Sequence, residues 1–138
     1  MNEELKRTIL IRFGSAGFDR NLTGFEVLSM GDGRAQVRIP VGEAVANLSG
    51  NLHGGAIATL VDDVGTLAIM SGDRQGRPGV TTDLSVSYFL PGRSGEKILI
   101  DANVLKFGRT LAYVSVDLRR EAGGTLIAQG RMTKFMGR

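Results

Sequence analysis

The stretch "NLHGGAIATLVDD", residues 51–63, sets the only histidine of the chain, His53, beside Gly54 and Gly55, then places Asp62 and Asp63 in an apolar run. Glycines opening a helix leave its first backbone N–H groups uncovered by any Cβ, and those groups have no acceptor within the helix. With the helix dipole added they favour developing negative charge, so Gly54 N–H is a candidate oxyanion donor for a polarised carbonyl. The same pair of glycines also suits a turn and close packing. A carboxylate on an apolar helix needs compensation. Asp62 or Asp63 therefore reads as a general base or nucleophile, or else as a helix carboxylate bonded to a neighbouring strand. His53 lacks a Cys or second His with which to share zinc, and no nucleophile elbow surrounds Ser49, so neither a metal site nor a serine triad is expected.

These residues need a helix to hold them. Over 54–71, Ile57, Leu60, Val61, Val64, Leu67 and Ala68 recur at helical period, and Ala56, Ala58, Ile69 and Met70 widen that face. Only Thr59, Asp62, Asp63 and Thr66 form a polar line, so the helix belongs in the middle of the fold. Nine helical residues advance roughly 13 Å and turn by about 180°. His53 and Asp62 of one helix thus cannot meet on one substrate; if they act together they come from two subunits, which predicts a site at a two-fold interface.

The remaining elements follow from pattern. Residues 1–18 read as an amphipathic helix on Leu5, Thr8, Ile9 and Arg12, ended by Gly14 and Gly17. "GFEVLSM" and "RAQVRIPV" flank "GDG", a hairpin. Beyond "GDRQGRPG" come four long strands over 80–90, 96–107, 110–120 and 125–135, whose short links predict an antiparallel meander. In the first of them Val80, Thr82, Leu84, Val86, Tyr88 and Leu90 should share one face, and Thr81, Asp83, Ser85 and Ser87 the other. The expected fold is α+β: one long antiparallel sheet curled around one apolar helix, its outer face turned to water or a second subunit.

A length of 138 residues fits one domain over 1–138, and the lack of cysteine excludes disulfides and thiol nucleophiles. The net charge of +3 comes from scattered bases without an aromatic-laced stripe, which argues against nucleic acid and suits a small anion. "MNEELKRTIL" is no secretory signal and no membrane span is expected, so the chain reads as cytoplasmic, with mitochondrial association left open.

"NLSGNLHGGAIATLVDD" followed by "PGVTTDLSVSYFLPGRSGEKILIDANVLKFGRTLAYVSVDLRREAGGTLIAQG" resembles the hotdog-fold acyl-CoA thioesterases, particularly the small branch of the thioesterase superfamily member 2 and bacterial phenylacetate-pathway types. The likeness covers about residues 18–134. It implies a hotdog fold, a dimer with a continuous sheet, usually a tetramer of two dimers, and cofactor-free hydrolysis of an acyl-CoA to a free acid and CoA. By the same resemblance Asp62 is base or nucleophile, Gly54 N–H polarises the carbonyl, Asn47 and His53 lie near carbonyl and water, and Thr81 helps place the water. CoA would be held by Asp83, by "YFLPGR" (Tyr88, Phe89, Leu90, Pro91, Gly92, Arg93) and by "KFGRTL" (Lys106, Phe107, Gly108, Arg109, Thr110, Leu111), where Arg93, Lys106 and Arg109 suit phosphates.

Two features depart from the family pattern. Relatives tend to carry Ser where Thr81 stands, and the extra methyl narrows the water site. Asp63 adjoins the expected base; neighbouring helix positions point about 100° apart, so only one aims at a given atom, and motif spacing selects Asp62. A hydratase or dehydratase on this fold is the alternative enzyme, although its histidine lies in a Pro-rich context absent from "NLHGGA". A non-catalytic acyl-CoA-binding module is the alternative outside enzymes. "FGSAGFDR" and the central helix suggest an apolar channel that suits medium, long or aryl acyl groups alike.

Overall fold

A computed structural model of the chain describes residues 3–13 and 16–137. Its elements are α1 (Glu3–Arg12), a 3₁₀ turn (Gly17–Asn21), β1 (Glu26–Gly31), β2 (Arg34–Pro40), a second 3₁₀ turn (Glu43–Val45), α2 (Gly54–Gly72), β3 (Val80–Tyr88), β4 (Lys97–Phe107), β5 (Leu111–Arg120) and β6 (Leu126–Phe135). The first helix is shorter than the sequence pattern suggests. Gly14, expected to end it, lies outside the described residues, and Gly17 at φ 62° opens the following turn. The β1–β2 hairpin forms as expected, because Asp32 (φ 51°) and Gly33 (φ 80°) supply the two left-handed residues of a primed turn.

The sheet is antiparallel with strand order β1-β2-β4-β5-β6-β3. The expected meander holds for β4, β5 and β6, but β3 is not a neighbour of β4; it pairs with β6 at the far edge. The link at 91–96 is therefore no hairpin turn. It is fastened to the loop ahead of α2, with Leu52 N–H donating to Gly92 C=O (2.7 Å) and Ser94 N–H to Gly50 C=O (2.9 Å). Meanwhile β2 occupies the other edge of β4, from Arg34 opposite Asn103 to Pro40 opposite Lys97.

The apolar face of α2 decides the packing. Leu60, Val61, Val64, Leu67 and Ala68 are fully buried against inward side chains of the sheet such as Val37, Ile39, Ile100, Val116 and Ile127. By length and composition α2 could cross a membrane, yet the apolar surface that would face lipid is covered by its own sheet. Opposite Val61 the sheet carries Gly130, where an added Cβ would stand 2.6 Å from a Val61 methyl. The outer sheet face is polar: Gln36 bonds Asp101 (2.8 Å), and Arg38 bridges Glu26 and Glu121 (2.9 Å each). Exposed pairs of this kind add little stability and mainly keep that face wet.

Replacing Gly130 by alanine forces a methyl into Val61 and should cost about 1–3 kcal/mol. A urea unfolding midpoint unchanged in Gly130→Ala would contradict this helix–sheet contact.

Candidate active site

The start of α2 is set by His53, whose extended backbone (φ −61°, ψ 137°) makes it the N-cap. Its Nδ1 accepts the Gly55 N–H at 2.8 Å, so the neutral ring carries its proton on Nε2. Gly54 N–H, at the first helical position, has no acceptor within the helix. From the other side, Tyr88 Oη donates to the Gly54 carbonyl at 2.8 Å, tying the end of β3 to the start of α2. The Asn47 side-chain oxygen accepts from the N–H groups of Ser49 and Asn51 (3.0 Å each), which folds the preceding loop and leaves the Nδ2 hydrogens as what Asn47 can offer outward. Asn47 and His53 line one open cleft with Ala46, Leu48 and Ser49. Beside it, an apolar cavity of about 220 Å³ is lined by Phe18, Leu22, Val45, Ala56 and Thr59.

Further along the helix, Asp62 is half-buried and accepts a hydrogen bond from Thr81 Oγ1 at 2.7 Å. Strict alternation predicts the wrong face for Thr81. A bulge between Thr81 and Asp83 leaves Thr82 as an extra residue, so Thr81 falls on the helix side with Leu84 and Val86. Bulges re-aim side chains in this way. One oxygen of Asp62 is thereby anchored, and the other can act on a substrate or water.

Asp63 points elsewhere. Burial, and then the Asp19 carboxyl beside it, push its pKa up to about 8. Its Oδ2 is buried with no donor facing it among the described residues. Two ionised carboxylates cannot bond, whereas a proton on Asp63 turns the contact with Asp19 into an O–H···O bond. Burial beside a second carboxyl thus favours the protonated form of Asp63. Lys134 on β6, only 5% exposed, faces both residues; burial lowers its pKa and the two carboxylates oppose that shift.

The structure separates the two segments expected to hold CoA. Tyr88, Phe89, Leu90, Pro91 and Arg93 are exposed near the start of α2, and the N–H groups of Phe89 and Leu90 both reach Ile127 C=O. Gly92 in the same segment is buried, and a Cβ there would lie 3.2 Å from Leu52 Cβ. Asp83 is exposed on β3. Lys106, Phe107 and Arg109 are exposed at the opposite end, where the Phe107 ring lies over Gly72, the last residue of α2. Gly108 and Leu111 close a tight turn there, and Thr110 C=O accepts from Met136 N–H. Tyr88 pairs with Ala128 and Leu111 with Phe135, seven residues along β6, or about 23 Å. Asp19, Lys134 and the helix contact of Tyr88 are absent from the sequence reading. For Lys134 the signal exists, since Ala128, Gly130, Met132 and Lys134 alternate on the buried face.

A six-stranded antiparallel sheet rolled around one core helix is the architecture of the hotdog class. The family model for the thioesterase superfamily matches residues 49–127. Mouse acyl-coenzyme A thioesterase 13 is 42% identical over 137 residues, covering 99% of this chain and 97% of the relative. The crystal structure of zebrafish thioesterase superfamily member 2 shares 45% identity at a TM-score of 0.92, covering 99% of both chains. A thioesterase protein from Streptococcus pneumoniae, solved with coenzyme A, aligns at 29% identity and a TM-score of 0.77 over 84% of this chain and 91% of that one. The chain belongs to the thioesterase superfamily. It is a thioester hydrolase.

The raised pKa of Asp63 has a defined consequence for stability. The folded chain holds a proton that the unfolded chain releases above about pH 4, so this contribution is complete below that pH and declines as pH rises towards 8. Asp63→Asn supplies a permanent donor to Asp19 and should raise stability above neutrality by about 1–3 kcal/mol. Urea midpoints measured across that range should fall with pH in the wild type and stay flatter in the variant; a variant weaker than wild type at alkaline pH would contradict the protonated pair.

Proposed function

We propose that this chain hydrolyses acyl-CoA thioesters to the free acid and CoA at a site shared by two subunits. The observation that carries the reading is the spacing on α2: the free N–H at Gly54 and the Thr81-held carboxylate of Asp62 lie on one straight helix, too far apart and too differently directed to serve one carbonyl. In a two-fold pair, Gly54 N–H of one copy donates to the thioester oxygen, with His53 and Asn47 beside it, and Asp62 of the other copy faces the carbonyl carbon. Asp62 takes a proton from water as the water oxygen bonds to that carbon, and the oxyanion forms against Gly54 N–H. Collapse breaks the C–S bond, and the departing CoA sulfur takes the proton back from Asp62.

The edge of the sheet supports such a pair. β3 is the last strand in the order, so one side of its backbone is unpaired over nine residues. Val80 and Tyr88 at its ends are 65% and 53% exposed. Antiparallel pairing of two β3 strands about Leu84 would bring the Thr81–Asp62 end of one copy beside the Tyr88–Gly54 end of the other. The same operation would bring "KFGRTL" of one copy towards "YFLPGR" of the other. That gives Lys106, Arg109 and Arg93 a common phosphate-bearing ligand, consistent with the coenzyme A held by the Streptococcus relative. The cavity by Phe18, Leu22 and Val45 takes the acyl chain.

Thiol release from acyl-CoAs of graded chain length and from aryl-CoAs tests the reading. Wild type should release thiol, Asp62→Asn should lose about 10²–10⁴-fold in kcat, and Thr81→Ser should retain far more activity than Thr81→Val. No release from any acyl-CoA, or an Asp62→Asn variant at the wild-type rate, would overturn the assignment.

A further inference from the structure

We infer that Tyr88 is a positioning residue for this hydrolysis: its hydroxyl, reaching from the end of β3 to the first turn of α2, fixes the direction of the Gly54 N–H. The inference rests on the reading of Gly54 N–H as the oxyanion donor. Such a donor works by being held in place before charge develops, so whatever holds it contributes to the rate. Glycine is a poor residue for that task, because its φ and ψ are the least restricted of any residue.

Two peptide planes meet at the Gly54 Cα, and both are anchored. The plane between His53 and Gly54 carries the Gly54 N–H on one side and, on the other, the His53 C=O, which accepts from Ile57 N–H at 3.0 Å. The plane between Gly54 and Gly55 is gripped at both ends: Gly55 N–H donates to His53 Nδ1 at 2.8 Å, and Gly54 C=O accepts from Tyr88 Oη at 2.8 Å. The bonds from Ile57 and His53 lie within the helix entry and move with it. The bond from Tyr88 comes from the sheet. The same strand carries Thr81, which holds Asp62 at 2.7 Å, so β3 sets the N–H and the carboxylate in one frame. The Tyr88 ring adds to the grip, since a Cβ built on Gly54 would stand 3.6 Å from its Cε1. The strand end is itself fixed: Tyr88 pairs with Ala128, and the N–H groups of Phe89 and Leu90 reach Ile127 C=O at 2.8 and 3.1 Å.

The direction of the bond separates this role from a contact with CoA. A backbone carbonyl only accepts, so the Tyr88 hydroxyl has given its one proton to Gly54 C=O and keeps only lone pairs to offer. A phosphate or a thioester carbonyl needs a donor instead. Tyr88→Phe keeps the ring and removes the bond, which leaves the Gly54 N–H present but less firmly directed. Full removal of an oxyanion donor costs about 10²–10³ in kcat. Loosening it should cost about tenfold, because small misplacements at a reacting centre are expensive. KM should stay near wild type, because the ring surface that a ligand could touch is retained.

The decisive experiment is a double-mutant cycle on steady-state thiol release from acyl-CoAs, using wild type, Tyr88→Phe, Gly54→Pro and the double variant. Each is checked for folding by circular dichroism and for inhibition by free CoA. The expected result is a kcat about tenfold lower in Tyr88→Phe, with KM and CoA inhibition unchanged. Added to Gly54→Pro, the same substitution should cost nothing further, because the donor it steadies is already gone. A wild-type kcat in Tyr88→Phe, or a loss that appears in KM and CoA inhibition instead, overturns the role of Tyr88 while the donor reading stands. The same tenfold loss in the Gly54→Pro background overturns it too, by placing the effect elsewhere. If Gly54→Pro works at the wild-type rate, the donor reading itself fails and the inference with it. Should Gly54→Pro not fold, the division between kcat and KM in Tyr88→Phe decides alone.

Discussion

A buried α-helix acts as a rigid ruler, and in this protein the ruler is α2. Its apolar face is packed against the sheet along most of its length, so Gly54 and Asp62 stay about two turns apart. The close approach at Gly130 makes the hold firmer, since Val61 fills the space a larger residue would take. The same strand that anchors Asp62 through Thr81 also fixes Gly54 through Tyr88, which locks both ends of the ruler against β3. The N–H and the carboxylate are thus held apart, and in the proposed pair the edge position of β3 is the feature through which a second copy would resolve the separation.

The two adjacent aspartates of α2 lie in different surroundings. Asp62 is half-buried and receives a hydroxyl, while Asp63 meets burial and another carboxyl. Burial beside a second carboxyl favours a proton on Asp63. The division of labour comes from a helix turn of about 100° between neighbours.

Much of this was legible in the sequence because burial writes a period into it. The apolar repeat over 54–71 marks α2 to within a residue, and alternation at Ala35, Val37 and Ile39 or at Val114, Val116 and Leu118 marks strands against that helix. Connectivity is less visible. A six-residue link looks like a turn whether it returns on its own strand or crosses to another edge, and the choice depended on β2 having taken the side of β4. The bulge at Thr82 left no glycine or proline as a sign, so Thr81 was expected on the wrong face, and its bond to Asp62 was not foreseen although resemblance put its hydroxyl near the water. The packing of Gly92 against Leu52 and Ile127 was not visible in the sequence, because a lone glycine in a loop gives no sign of what approaches it. Lys134 stood in plain alternation and still escaped notice, because a lone lysine near the end of a strand reads as a solvated charge.

The central claim, a site assembled from two copies, is tested most directly by complementation. Gly54→Pro removes the proposed N–H donor at a first helical position, where proline is tolerated, and the extended His53 before it already has a backbone suited to precede proline. Mixed after dissociation and reassociation, Gly54→Pro and Asp62→Asn chains form hybrids with one intact and one doubly defective site. An equal mixture should recover roughly one quarter of wild-type thiol release. A properly exchanged mixture no more active than its two parents would contradict a site shared between chains.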